Sequence, residues 1–415
     1  MTVSEMLKEA EKAFHDMDWE KVVKINKEII AQKPDEDTEN LASGFYYYAL
    51  AKLEKDQKNV IFDLDKAGEF FRPVDDYLAS LADVEKLILL SEFDRENRGR
   101  HLLDLAKLTQ GLFINTGDLT HLQLAIDSFN NAKPSLGGTE LAQTILDLQF
   151  CQGTYAQHSE NPEEQYREVT RLCEEIKTKD RAILARSKMN AAVAYQNLAF
   201  LVKPHLDSIN TAIKLNEEAI EVFEQLNSNP ETVKAKQCLA NVLRDASGID
   251  LENTKKHLER AIALKKEVAE MFLKDGFDID SGYEDLEIGI VYIELAACEQ
   301  TRSDEHFNNA INHFNVAAEI FEKEKIGEAL GHAKAGIAAV YRNQGAFEDA
   351  VRMYEEAIAI FNEKDPVLSG RTKQNLATTY RDMAKTTGKK EHLKKAKKLE
   401  REAAELLEDR LEHTH

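Results

Sequence analysis

Apolar and polar residues alternate along this chain with a helical period, and one twelve-residue pattern returns again and again. In "AVRMYEEAIAIF", Ala350 to Phe361, the residues at offsets 0, 4, 7 and 11 are Ala350, Tyr354, Ala357 and Phe361. At 3.6 residues per turn these four share one face, and the intervening charged residues share the other. Similar stretches begin at residues 22, 67, 125, 165, 212, 261, 310 and 396, among them "AIKLNEEAIEVF", "AINHFNVAAEIF" and, more weakly, "AGEFFRPVDDYL" from Ala67. The steps run from 40 to 58 residues, a spacing expected of stacked helical hairpins. The alanines let a neighbouring helix approach closely, and the large residue at offset 11 fills the space beside them.

A second helix is predicted upstream of each copy. It carries a small residue followed three positions later by an aromatic or leucine: Ala192 and Tyr195, Ala240 and Leu243, Gly289 and Tyr292, Ala338 and Tyr341, Ala377 and Tyr380. Gly345 closes the turn between the last-but-one pair. One stretch, "LASLADVEKLILLSEFDRENRGRH", interrupts the period. It is expected to add an extra helix followed by a charged loop near Asp94–Arg100.

These residues resemble the tetratricopeptide repeat. That family places a small residue and an aromatic in its first helix, then a turn glycine, then an aromatic and alanines in its second. Ala338, Tyr341, Gly345, Phe347, Ala350, Tyr354 and Ala357 follow that order, and Ala10, Trp19, Ile29 and Pro34 look similar in the first unit. The period here is longer than the family's usual one, and most units lack the turn glycine and closing proline. The resemblance implies an all-α, right-handed superhelical solenoid of about nine hairpins. Within it, residues 1–78 are expected to form N-terminal units and 79–180 irregular units. Regular long-period units are expected over 181–407, with a tail at 408–415.

Composition agrees with a helical protein. Among 415 residues there are only seven prolines and eighteen glycines, and both residue types are costly in helix interiors. The formal net charge of −21 repels polyanions, so no nucleic acid is expected as a partner. No apolar stretch approaches the roughly 18 residues of a membrane span, and the N-terminus lacks the uninterrupted apolar run of a signal peptide. A cytoplasmic protein is expected. Cys151, Cys173, Cys238 and Cys298 stand apart in apolar surroundings, without the spacing of a zinc or redox motif.

Catalytic signatures are missing from the sequence: there is no phosphate-cradling glycine loop, no GxSxG and no HExxH. His306 and His313 fall on one helix face without a well-spaced carboxylate, a poor metal site. Neither an enzyme, a cofactor nor a metal is expected. The partner expected is a protein or an extended peptide, and the sequence leaves self-association open.

In tetratricopeptide proteins the first helix of each unit lines the concave wall, so the resemblance places the residues flanking the small–aromatic pair there. Arg244, Arg342 and Arg381 follow the pair, and Asp245, Asn343 and Asp382 come next. Asn190, Asn197, Asn241 and Asn375 occupy neighbouring positions, and Arg186, Lys234 and Arg371 open the same helices. Asparagine can donate to and accept from a peptide backbone, and arginine can grip a carboxylate with two bonds, so the set is expected to bind an extended peptide. The plainer alternative is that an arginine and the aspartate that follows it make ordinary surface pairs worth little. Six lysines between Lys389 and Lys398 form either a solvated capping helix or a basic docking patch.

Overall fold

The structure, a computed structural model, describes residues 1–203, 205–361 and 365–408, the last without the Glu408 side chain; residues 409–415 of the expected tail lie outside the described residues. Nineteen α-helices and two short 3-10 turns make up the described chain, with no strand among the described residues. No described helix is long and apolar enough to cross a membrane. From the first helix to the ninth, and again from the eleventh to the nineteenth, the helices pack as consecutive neighbours, as repeats of a solenoid do. They fall into two compact units, 1–194 and 195–415.

The first unit begins with α1 (Val3–His15), α2 (Trp19–Ala31), α3 (Glu36–Leu53) and α4 (Gln57–Phe71). An aspartate starts several of its helices. Asp18, Asp35 and Asp56 each accept a hydrogen bond from a backbone N–H of the first turn, which satisfies a donor that has no partner inside the helix. Phe45, Tyr48, Leu64 and Phe71 build the core between α3 and α4.

Here the structure corrects one repeat. The stretch from Ala67 runs off the end of α4 at Phe71. The offsets 0, 4, 7 and 11 fall instead on Val60, Leu64, Ala67 and Phe71, the last three of them buried. Phe71 was legible as a packing residue, but the copy starts seven residues earlier than expected.

The extra helix is present as α5 (Asp76–Phe93). The charged loop is shorter than expected, because Arg98 already begins α6 (Arg98–Thr116). Asp94 explains the early restart: it accepts from the backbone and side chain of Asn97 and pairs with His101 one turn further on. There follow α7 (Leu119–Ala132), α8 (Gly138–Ala156), α9 (Pro162–Glu175) and α10 (Arg181–Leu201), the last of which spans the division after Ala194. Leu122, Phe129, Leu148 and Leu172 fill the core of this part.

The second unit continues with α11 (His205–Gln225), α12 (Asn229–Ile249), α13 (Thr254–Lys274), α14 (Asp278–Cys298) and α15 (Ser303–Lys323). It closes with α16 (Gly327–Asn343), α17 (Phe347–Phe361), α18 (Pro366–Thr387) and α19 (Lys390–Glu408). The predicted stripe is buried as expected: Ala310, Phe314, Ala317 and Phe321 in α15, and Ala350, Tyr354, Ala357 and Phe361 in α17.

The residue at offset 11 has a seat the pattern did not reveal. A Cβ added to Gly331 of α16 would meet the Phe361 ring at 2.6 Å, one on Gly282 of α14 would meet Phe321 at 3.1 Å, and one on Gly370 of α18 would meet Leu407 at 3.1 Å. Each of these glycines stands seven residues before the small residue of its first helix, namely Gly289, Ala338 or Ala377. The missing side chain is what lets the phenylalanine ring, or in the last case the leucine, approach the helix backbone closely.

Candidate functional site

In the second unit, the end of α10 and the helices α12, α14, α16 and α18 are the first helices of the repeated pairs, and their polar residues are ordered by contacts from one repeat to the next. The residue four positions after the small residue faces the residue five positions after the small residue of the following repeat, in a hydrogen bond or an ion pair. Gln196 donates to Asp245 at 2.6 Å. Arg244 holds Glu294 with Nε at 2.9 and 3.0 Å from the two carboxylate oxygens, and its Nη1 lies 3.4 Å from Glu287. Arg342 lies 3.9 Å from Asp382. Ile293 takes the donor position in α14, and there the ladder is interrupted. Arg381, in the last repeat, turns to Glu400 of α19 at 2.6 Å.

The three arginines expected to grip a ligand carboxylate therefore each face a carboxylate of this chain. For Arg244 it is not the Asp245 that follows in sequence but Glu294 of the next repeat, and for Arg342, which is followed by Asn343, it is Asp382 of the next repeat. The Glu294 carboxylate pushes the Arg244 guanidinium still further above its ordinary range. The signal was available in the sequence: Gln196, Arg244 and Arg342 precede Asp245, Glu294 and Asp382 by 49, 50 and 40 residues, close to one repeat. Glu294 was not singled out because isoleucine precedes it where an arginine stands in its neighbours.

Between α12 and α14 lies a recess of about 600 Å³ that brings together Lys234, Asn241 and Arg244. Its floor is a buried ion pair: Lys265 of α13 lies 3.4 Å from Glu284 of α14, the two side chains 3% and 7% exposed. Gln237 donates to the other oxygen of Glu284 at 2.7 Å. Gln237 and Lys265 are thus occupied by Glu284, and Arg244 by Glu294 and Glu287. Lys234 and Asn241, seven residues apart on one face of α12, are exposed and have no hydrogen-bond or ion-pair partner among the described residues. Cys238 lies between them, its thiol pushed up by burial.

The other expected residues are dispersed. Asn190 lines a smaller recess of the first unit with Phe150, Tyr166 and Val193. In the same recess Gln149 donates to the Val169 carbonyl while its own buried Oε1 has no partner. Arg186 belongs to the first unit and Asn197 to the second, and both are engaged in contacts. Asn343, Arg371 and Asn375 are exposed on α16 and α18. His306 and His313 do not converge on a common point. They flank the Tyr292 ring, and their nitrogens go to separate carboxylates, Glu299 at 2.9 Å and Asp285 at 2.6 Å.

Residues 332–364 match the tetratricopeptide repeat family. No match is found among curated protein sequences. Among solved structures the chain is similar to a signal transduction ATPase with numerous domains from Pyrococcus horikoshii, described as having a tetratricopeptide repeat sensor. The TM-score is 0.51 at 14% identity, over 95% of this chain and 54% of that one, so this chain spans about half of its length. Aspartyl phosphate phosphatase F from Bacillus subtilis aligns over 98% of this chain and 94% of its own, at 12% identity and TM-score 0.41. A Rap protein complexed with competence and sporulation factor aligns over 99% and 93%, at 16% identity and TM-score 0.37.

Proposed function

We propose that this chain, an all-α tetratricopeptide-repeat solenoid, is a non-enzymatic scaffold or adaptor that binds an extended segment of a partner protein along its first helices, with the α12–α14 recess as the central subsite. The observation that carries the reading is the pair Lys234 and Asn241. They are the exposed, unpartnered polar groups of a recess whose other donors are held by Glu284 and Glu294. An asparagine amide can both donate to and accept from a peptide backbone, and an ammonium can meet an acidic side chain or a carbonyl. The ladder around them keeps the helices in register, so the site is organised before a ligand arrives.

The test is a library of unstructured peptides screened against the full chain, followed by titration of the strongest binder. Lys234→Glu combined with Asn241→Ala is expected to weaken binding at least tenfold while leaving the melting temperature unchanged, since both residues are exposed. Equal binding by the double variant would overturn the reading.

A second reading, a peptide-controlled regulator, is favoured by the ladder itself. A ligand that competes for Asp245, Glu294 or Asp382 acts directly on the bonds joining successive repeats, and a ligand shifts conformation only through such differential contacts. X-ray scattering with and without the bound peptide distinguishes the two: a scaffold keeps its scattering profile, and a regulator changes it.

A further inference from the structure

The helix α19 stands where each preceding second helix receives the next repeat, yet its receiving face is written differently. At the position one residue after the start of the buried stripe, the earlier helices carry Ile213, Ile262, Ile311 and Val351, all packed against neighbouring apolar residues. In α19 that residue is Lys397, which is exposed. Around it on the same face lie Lys390, Lys394 and Arg401; counted from Lys390, Lys394, Lys397 and Arg401 stand at offsets of four, seven and eleven, which is one side of a helix. All four are exposed and none has an ion-pair partner among the described residues. Five other cations of this hairpin are engaged: Lys373 with Glu402 at 2.9 Å, Arg381 with Glu400, Lys385 with Asp382, Lys398 with Glu402, and Lys395 over the Tyr380 ring. Leu393 and Ala404 are exposed on the same side as the four free cations.

A polar outer face is what a solenoid end needs, but that need does not choose the sign. In a chain with a net charge of −21, the hairpin from residue 366 to 408 carries eleven lysines and arginines against six carboxylates. A face of this kind cannot seat another repeat, because the approaching helix would bury unpaired ammonium groups. A large polyanion such as a membrane or duplex DNA meets the field of the whole acidic molecule. A short segment within about 8 Å of the helix, roughly the physiological screening length, meets chiefly the lysines.

We propose that this face of α19 is a docking surface for an acidic amphipathic segment of a partner protein, about 16 Å long to match eleven helical residues, with carboxylates on Lys390, Lys394, Lys397 and Arg401 and an apolar residue on Leu393. The surface is distinct from the recess between α12 and α14 and does not depend on it.

The probe is a fluorescent fourteen-residue helical peptide with glutamates at positions i, i+4, i+7 and i+11 and leucine between them, titrated into the full chain by anisotropy. Binding is expected to weaken at least tenfold between 50 and 500 mM salt. It is expected to be lost when glutamine replaces the peptide glutamates, and to weaken at least tenfold in the variant Lys390→Gln, Lys394→Gln, Lys397→Gln, Arg401→Gln. The comparator Lys214→Gln, Lys323→Gln, which alters exposed lysines elsewhere, should bind as the parent does. Melting curves of both variants report whether the cap still folds; if the quadruple variant melts early, single substitutions at Lys394 and Lys397 replace it. The proposal is overturned if the quadruple variant binds like the parent. It is equally overturned if phosphatidylserine vesicles or duplex DNA bind this face more tightly than the peptide, or if the substitutions abolish self-association instead.

Discussion

Arg244 of α12 closes a forked ion pair on Glu294 of α14, joining residues fifty positions apart across two successive repeats. The pair is about one-third exposed on each side, so its coupling is expected to be modest, about 1 kcal/mol. A double-mutant cycle with Arg244→Ala and Glu294→Ala, read by urea unfolding, measures it. Zero coupling would show that the ladder does not hold the repeats.

The buried pair beneath the recess behaves differently. Glu284→Ala leaves Lys265 buried without its carboxylate and is expected to cost about 3–5 kcal/mol, whereas replacing both Lys265 and Glu284 with leucine is expected to cost far less. Equilibrium unfolding of the two variants makes the comparison. Equal destabilisation would mean that the ion pair itself stabilises the unit.

Close helix approach at Gly331 is a third point. Its replacement by alanine puts a methyl group 2.6 Å from the Phe361 ring, and the overpacking is expected to cost about 1–3 kcal/mol. The same substitution at Gly111, where nothing lies within 4 Å of an added Cβ, is expected to be neutral or slightly stabilising, because alanine favours the helix. Thermal melts of the two variants decide it.

Acid sensitivity follows from the aspartates that anchor histidines seven residues on. Hydrogen bonds from His101 and Asn97 hold the Asp94 carboxyl down at about 2, and His257 with Asn253 holds Asp250 below the ordinary range. A carboxyl depressed in the folded state stabilises fully above its unfolded pKa of about 4, and that stability disappears as pH falls through the folded value. The gap in melting temperature between the parent and Asp94→Asn is therefore expected to be constant from pH 5 to 7 and to close toward pH 2. A gap that persists at pH 2 would assign the effect to something other than ionisation.

Cysteine labelling reports on packing. Cys151 is buried and its thiol is pushed up to about 12 by that burial, whereas Cys298 is exposed. Iodoacetamide at pH 8 is expected to modify Cys298 in the native protein and Cys151 only after unfolding. Peptide mass mapping shows the order.

Much of this architecture is local, and local features are legible in a chain. The stripe Ala350, Tyr354, Ala357 and Phe361 specifies a helix and its buried side because helical periodicity is a property of neighbouring residues. The repeat spacing then identified the hairpin array and the interrupting helix α5. At Ala67 the same reasoning slipped by seven residues, two helical turns, because that shift keeps the same face and only packing against α3 distinguishes the registers. The seat of Phe361 on Gly331 and the pairing of Arg244 with Glu294 depend on residues 30 and 50 positions apart. Candidate site residues could be named from the sequence by type and position. Which of them are occupied by the chain's own carboxylates, and which, like Lys234 and Asn241, remain available, was decided by the tertiary structure, because a side chain's hydrogen bonds are set by what the fold brings within about 3 Å of it.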